Sequence, residues 1–289
     1  MNRTTRLGSF FALGTAVFVA ACGGGGSDDA DAPPSTIDSS GADASGPDAR
    51  IDAPTPDARP INRACTPDQT TIPDGTVTIT LSGAVVTTDG TGVVGATVDV
   101  LSPGSDVPIG SAVSGVDGAY SISSPVTPGS PALNAYVRIR HAEYVTNFIY
   151  PSDPVAGNLT FDPIMFEPGT LDLLYSVLGG TKRSDTASTL ATLMVDCGFD
   201  PIDGATFTST PAAEEILYLD TSAALPAPED DGNTAPNGLA LALNVALGTV
   251  SVGGSYGALV LESHDVGSNT DGENPAITTT IVHPIPEAP

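Results

Sequence analysis

The chain has no tryptophan, one lysine (Lys182), three cysteines and three histidines in 289 residues. Nine basic residues face 34 acidic ones, for a formal net charge of −25. A surface so poor in positive charge cannot neutralise a phosphate backbone, which excludes nucleic acid as a partner. It also excludes electrostatic adhesion to anionic lipid. It favours solubility and a weak, non-specific attraction for divalent cations. Aromatic residues make up only 5% of the chain, which limits the exposed rings that hold sugars. Charged residues make up 15% of the chain, while it has 32 glycines and 26 prolines, a balance that suits strands and turns better than helices.

The N-terminus reads as a leader. Arg3 and Arg6 precede an apolar run, Leu7 to Val19, which ends on the small residues Ala20 and Ala21. This is the order of a secretory signal, and the run is too short for a spanning helix. Val19-Ala20-Ala21-Cys22 resembles the lipobox of bacterial lipoproteins. The resemblance covers residues 1–21 as signal and implies a lipidated Cys22 as the mature N-terminus. It further implies a chain held in the bacterial cell envelope, at the outer membrane since Gly23 rather than an acidic residue follows Cys22. Two or more acyl chains anchor stably where one does not. The alternative is an ordinary signal cleaved near Ala21, with Cys22 incidental. Loss of Arg3 and Arg6 with the leader takes the net charge to −27.

Residues 22–71 read as a disordered linker of Asp, Ala, Pro, Ser and Gly, in which Pro47-Asp48-Ala49-Arg50 returns as Pro56-Asp57-Ala58-Arg59. Such a composition cannot bury enough surface to offset the entropy of ordering. As a coil it reaches roughly 35–42 Å. With Cys22 assigned to lipid, Cys65 and Cys197 remain, and an exported chain with two cysteines suggests one disulfide. Two unrelated thiols are the alternative, because spacing in sequence does not fix Cα separation.

From Thr76 onward short alternating runs are separated by turn residues. Val77, Ile79 and Leu81 form one such set, followed by Ala96, Val98 and Val100, then Ala135, Val137 and Ile139, with turns at Asp89-Gly90 and Asp117-Gly118. This spacing predicts a mainly β chain built of sandwiches. Gly83-Ala84-Val85-Val86, Gly92 through Val100, and Asp117-Gly118-Ala119-Tyr120-Ser121-Ile122 resemble the carboxypeptidase regulatory-like family. The resemblance implies a transthyretin-like sandwich over residues 72–166, with no catalytic role. Leu171, Leu174, Tyr175 and Leu178 predict a short connecting helix within 167–185, capped by Thr170 and packed on a sandwich. Residues 186–289 predict a second sandwich: Asp203-Gly204-Ala205-Thr206-Phe207 looks like a second Gly-Ala strand entry, although the Asp-Gly-x-Tyr hairpin is missing.

Sites for chemistry are scarce. Gly253-Gly254-Ser255-Tyr256-Gly257 matches the G-x-S-x-G elbow, and Asp265, Asp271 and His283 follow in hydrolase order. That elbow needs a strand, a turn and then a helix. A strand is expected from Ala258, which makes the run a hairpin turn and a serine hydrolase remote. His141, His264 and His283 are scattered with no metal-ligand spacing, so no metal is expected. Glu229 to Asn233 and Asp265 to Glu273 could offer oxygens to calcium but lack EF-hand spacing. Asn158-Leu159-Thr160 matches a glycosylation sequon and carries no weight in a bacterial chain.

The expectation is a non-catalytic, lipid-anchored envelope protein without a cofactor, whose sandwiches serve structural, adhesive or protein-contact roles toward an envelope protein. The alternative is glycan binding through Tyr136, Tyr144, Tyr150 and Tyr256.

Overall fold

The computed structural model describes residues 61–63, 65, 70–105, 107–177, 184, 186–220, 227–228, 231–269 and 276–285. The signal, Cys22 and most of the linker lie outside them, as do Leu178, Lys182, Glu229, Asp271 and Glu273. Among the described residues, seventeen strands and one α-helix follow one another. The first lobe holds β1 (Thr78–Ala84), β2 (Val86–Thr87), β3 (Thr97–Leu101), β4 (Pro108–Val113), β5 (Ala119–Pro125), β6 (Tyr136–Arg140), β7 (Thr146–Tyr150), β8 (Leu159–Thr160) and β9 (Ile164–Met165). Helix α1 (Pro168–Val177) leads to the second lobe. That lobe holds β10 (Ala187–Met194), β11 (Thr206–Thr210), β12 (Glu215–Asp220), β13 (Ala227–Pro228), β14 (Leu239–Ala246), β15 (Gly248–Tyr256), β16 (Leu259–Ser268) and β17 (Ala276–Val282).

The chain is mainly β and forms tandem β-sandwiches, and the two share a sheet. Nine strands run in the order β13-β12-β14-β10-β17-β7-β6-β3-β4, and β17 pairs in parallel with β7 across the lobe boundary. Sheet β5-β1-β8 covers the first-lobe half, and sheet β11-β15-β16 pairs with the second. Period-two alternation explains the cores. Leu81, Val98, Val100, Ile122, Val137 and Ile139 meet in the first lobe, and Leu190, Met194, Phe207, Val250, Val252 and Val282 in the second. Val77, predicted inside, is exposed one residue before β1 begins.

The lobes repeat one hydrogen-bond circuit. In the first, Val85 N donates to Gly118 O, Val93 N to Val85 O, and Gly95 N to Ser114 O. In the second, Met194 N donates to Gly238 O, Ile202 N to Met194 O, and Gly204 N to Thr234 O. The same hydroxyl bridge closes both: Ala96 N donates to Ser114 Oγ at 2.9 Å, and Ala205 N to Thr234 Oγ1 at 2.9 Å. Strand pairing repeats too. Antiparallel β1–β5 and parallel β1–β8 correspond to β10–β14 and β10–β17. Antiparallel β3–β6–β7 corresponds to β11–β15–β16.

Several expectations are corrected. Asp117-Gly118 does turn tightly, with φ of 57° and 75°, but it joins β4 to β5, which belong to different sheets, so it is a crossover rather than a hairpin. Glycine is required there, since a Cβ on Gly118 would strike the Val85 carbonyl. Asn237-Gly238 stands at the same point of the second circuit, so the turn thought missing is present without its tyrosine. The linker ends before residue 71: Ile61 packs on the second-lobe core, and Cys197 N donates to Asn62 O. Helix α1 begins at Pro168, whose missing N–H costs nothing in the first turn, and Thr170 is inside it rather than its cap. Leu171 and Tyr175 bury against Leu217, Leu219, Leu241 and Leu243 on the outer face of the long sheet. No helix among the described residues is long and apolar enough to cross a membrane.

Candidate functional site at the lobe junction

The histidines that look scattered in sequence are partly gathered by the fold. β7 and β17 run side by side as far as Tyr150 and Thr280, so the chain just beyond each emerges at one place. Asp153 follows β7 and His283 follows β17. Glu262 lies on β16, held to His283 by a backbone bond from Glu262 N to His283 O at 2.7 Å and by the Leu261–Pro284 bridge. One carboxylate thus comes from the first lobe, and the other carboxylate and the imidazole from the second.

His283 is buried, and both ring nitrogens are addressed. Nδ1 lies 3.0 Å from Pro284 O and 3.9 Å from Glu262 Oε2, and Nε2 lies 3.4 Å from Asp153 Oδ2. Ser152 Oγ donates to Asp153 Oδ2 at 3.0 Å and helps to hold it. The Asp153 carboxylate raises the His283 pKa to about 9, against burial, with help from the Pro284 carbonyl and Glu262. His264, two residues past Glu262 on β16, is held low by burial and by the neighbouring His283. The Thr280 hydroxyl donates to Tyr150 O at 3.1 Å, which leaves its lone pair to receive the His264 Nε2 proton at 2.7 Å. This set can hold a proton or a cation between two carboxylates. Among the described residues, the partners of the His283 nitrogens are a backbone carbonyl and two carboxylates, none of them a nucleophile.

Beside the junction lies an apolar cavity of about 110 Å³. Leu81, Val100, Ile122 and Ile149 line it from the first lobe, and Leu193 and Ile281 from the second. Tyr136 and Tyr150 also line it and stack on one another, with centroids 4.8 Å apart and planes at 12°. Tyr144 is tilted against His141 at 5.1 Å. Burial pushes the Tyr150 hydroxyl pKa up to about 12. Three of the four tyrosines considered for glycan binding therefore have ring or cavity partners within the protein.

On the opposite face of the first-lobe sheet from its core, Asp99 is buried rather than exposed. Its Oδ2 accepts from Arg138 and Arg140 at 3.0 Å each, and its Oδ1 accepts from Ser111 at 2.8 Å. Burial pushes its carboxyl up, but the Ser111 hydroxyl and the two guanidinium groups outweigh that and hold it below the usual range.

The remaining sequence candidates are placed as follows. Cys65 is bonded to Cys197, with Cα atoms 4.6 Å apart. Ser255 sits inside β15, paired with Val260, and the hairpin turn comes only at Gly257-Ala258. Asp265 pairs with Ser251, four residues and roughly 13 Å along the strand from Ser255, so it is out of reach of that hydroxyl, and a strand rather than a helix follows the turn. Asp265 is also a strand residue rather than part of a calcium loop. The Asp153–Glu262–His283 group escaped sequence reading because its members come from three separated segments. The one signal available was the pair of histidines at the ends of predicted strands.

No protein-family model and no curated protein matches the chain. Among solved structures, hydroxyquinol 1,2-dioxygenase from Pseudomonas putida DLL-E4 is similar at 15% identity and a TM-score of 0.24, over 37% of this chain and 59% of that one. Chlorocatechol 1,2-dioxygenase from Pseudomonas putida gives 14% and 0.24, over 36% and 65%. The chain thus spans under two thirds of either dioxygenase. Shaft pilin SpaA from Lactobacillus rhamnosus GG gives 12% and 0.22, over 74% of this chain and 99% of that one. Likeness of this degree assigns no activity.

Proposed function

We propose that the chain is a bacterial envelope lipoprotein, anchored through lipid on Cys22, that displays two non-catalytic sandwiches for structural, adhesive or protein-binding work. The observation that carries the anchor is Val19-Ala20-Ala21-Cys22 after a short apolar run. The Cys65–Cys197 disulfide supports it, since Cys22 is then the one cysteine outside the bridge. Protein contact is favoured over glycan by the engaged tyrosines and by β4, the last strand of the nine-stranded sheet. Ile109 and Val113 are exposed on β4, and Val94 and Val116 are exposed in the flanking loops. Strand edges of this kind accept a further strand from a partner.

The test is intact mass and detergent partitioning of the chain made in a lipoprotein-competent bacterium, beside Cys22→Ser. A mature chain that begins at Cys22 with lipid mass, lost in the variant, is expected. An unlipidated soluble chain from the wild-type gene sinks the anchor.

A further inference from the structure

We propose that Asp153, Glu262 and His283 form a binding site for a zinc-class divalent cation that ties the two lobes together. Their ligand atoms all lie within 4.8 Å of one another. Nε2 of His283 and Oδ2 of Asp153 are 3.4 Å apart. A charge-assisted hydrogen bond between such groups closes to about 2.7–2.9 Å. Two ligands each about 2.1 Å from a tetrahedral zinc stand about 3.4 Å apart. The observed 3.4 Å is longer than such a bond and equals that ligand–ligand spacing.

Two further observations point the same way. The Pro284 carbonyl lies 3.0 Å from Nδ1, on the far side of the ring from Asp153. A bond from Nδ1–H to a backbone carbonyl fixes the tautomer that leaves Nε2 as the ligand atom, the support that metal-bound histidines have. Glu262 Oε2 is shut off from solvent and accepts no hydrogen bond among the described residues; its nearest charged neighbour is the His283 ring, 3.9 Å away at Nδ1, so it keeps a lone pair for a metal. Imidazole with two carboxylates suits zinc and its transition-metal neighbours, and leaves a fourth position for water. The ligands are well held, because Glu262 and His283 lie on directly bonded backbone segments and Ser152 holds Asp153.

The experiment is calorimetric titration of the full chain with zinc chloride. The protein is made without a histidine tag and stripped with a chelator, and thermal melts are run with and without zinc. One saturable site and a higher Tm with zinc are expected. Asp153→Asn, Glu262→Gln and His283→Gln should each weaken binding by more than about tenfold, since each removes a ligand. His141→Gln should bind as wild type. Asp153 and Glu262 are half-exposed, so their variants decide the matter if His283→Gln does not fold. Absence of saturable binding by wild type, or binding that Asp153→Asn and Glu262→Gln leave intact, overturns the site and makes the cluster an ion pair only.

Discussion

The hydroxyl of Ser114 in the first lobe and that of Thr234 in the second occupy the same point of one repeated circuit. Each accepts from an alanine amide at 2.9 Å, and each donates at 2.6 Å, to Val93 O and Ile202 O respectively. Ala96, Ala205, Ser114 and Thr234 are all buried, so no water replaces a lost bond. Ser114→Ala and Thr234→Ala should each cost about 1–3 kcal/mol, the penalty of an unsatisfied buried amide. Urea unfolding would show it, with the two losses of like size.

The disulfide closes a loop across 132 residues. On the chain-entropy view, such a bridge contributes up to about 5 kcal/mol. Cys65→Ser with Cys197→Ser should lower the urea midpoint accordingly. It should also free the segment at Ile61, so that limited proteolysis cuts it well before either lobe.

Asp99 is the hub of three cross-strand bonds. Asp99→Ala leaves Arg138 and Arg140 without their counter-charge and should cost about 3–5 kcal/mol by thermal or chemical denaturation. The pH effect has a definite sign. The folded carboxyl pKa lies below the unfolded value near 3.9. The stability is therefore fully present above the unfolded value and is lost as pH falls through the folded one. An acid titration of wild type against Asp99→Asn should converge at the low end and separate above about pH 4.

Phe199 and Gly90 are counterparts in the circuit. Gly90 N donates to Thr87 O, Phe199 N to Asp196 O, and φ is 81° and 65° respectively. A bulky side chain in the left-handed region costs about 1–2 kcal/mol. Phe199→Gly should therefore raise stability by roughly 1 kcal/mol, read as a higher Tm. A fall in Tm would show that the exposed ring is held by contacts worth more than the backbone cost.

Much of the fold is local and was legible. The alternation of Ala96, Val98 and Val100, the glycine turns, and the second Gly-Ala entry at Gly204-Ala205 all mark strands that form. β4 was not legible, because its residues are Pro108-Ile109-Gly110-Ser111-Ala112-Val113 and only one edge of it is paired. Nor does sequence show that β12 leaves the sheet its first-lobe counterpart β4 keeps, and pairs with β14 instead. The burial of Asp99 between Val98 and Val100 was not legible either, because period two reports the face of a strand, not what covers that face. The junction cluster depends on β7 pairing with β17, a contact between strands more than a hundred residues apart, and no local pattern encodes it.

The position of Cys65 has a mechanical consequence. The chain enters from residue 61 onto the second lobe, is bonded there at Cys197, and only then builds the first lobe inside the closed covalent loop. Tension applied through the segment before residue 61 thus passes at the disulfide straight into the loop of residues 196–200. The first lobe lies off that covalent line of force and is coupled to it only through the β7–β17 pairing, so a pull that would peel β1 from β5 in a simple tandem array does not reach them along the backbone.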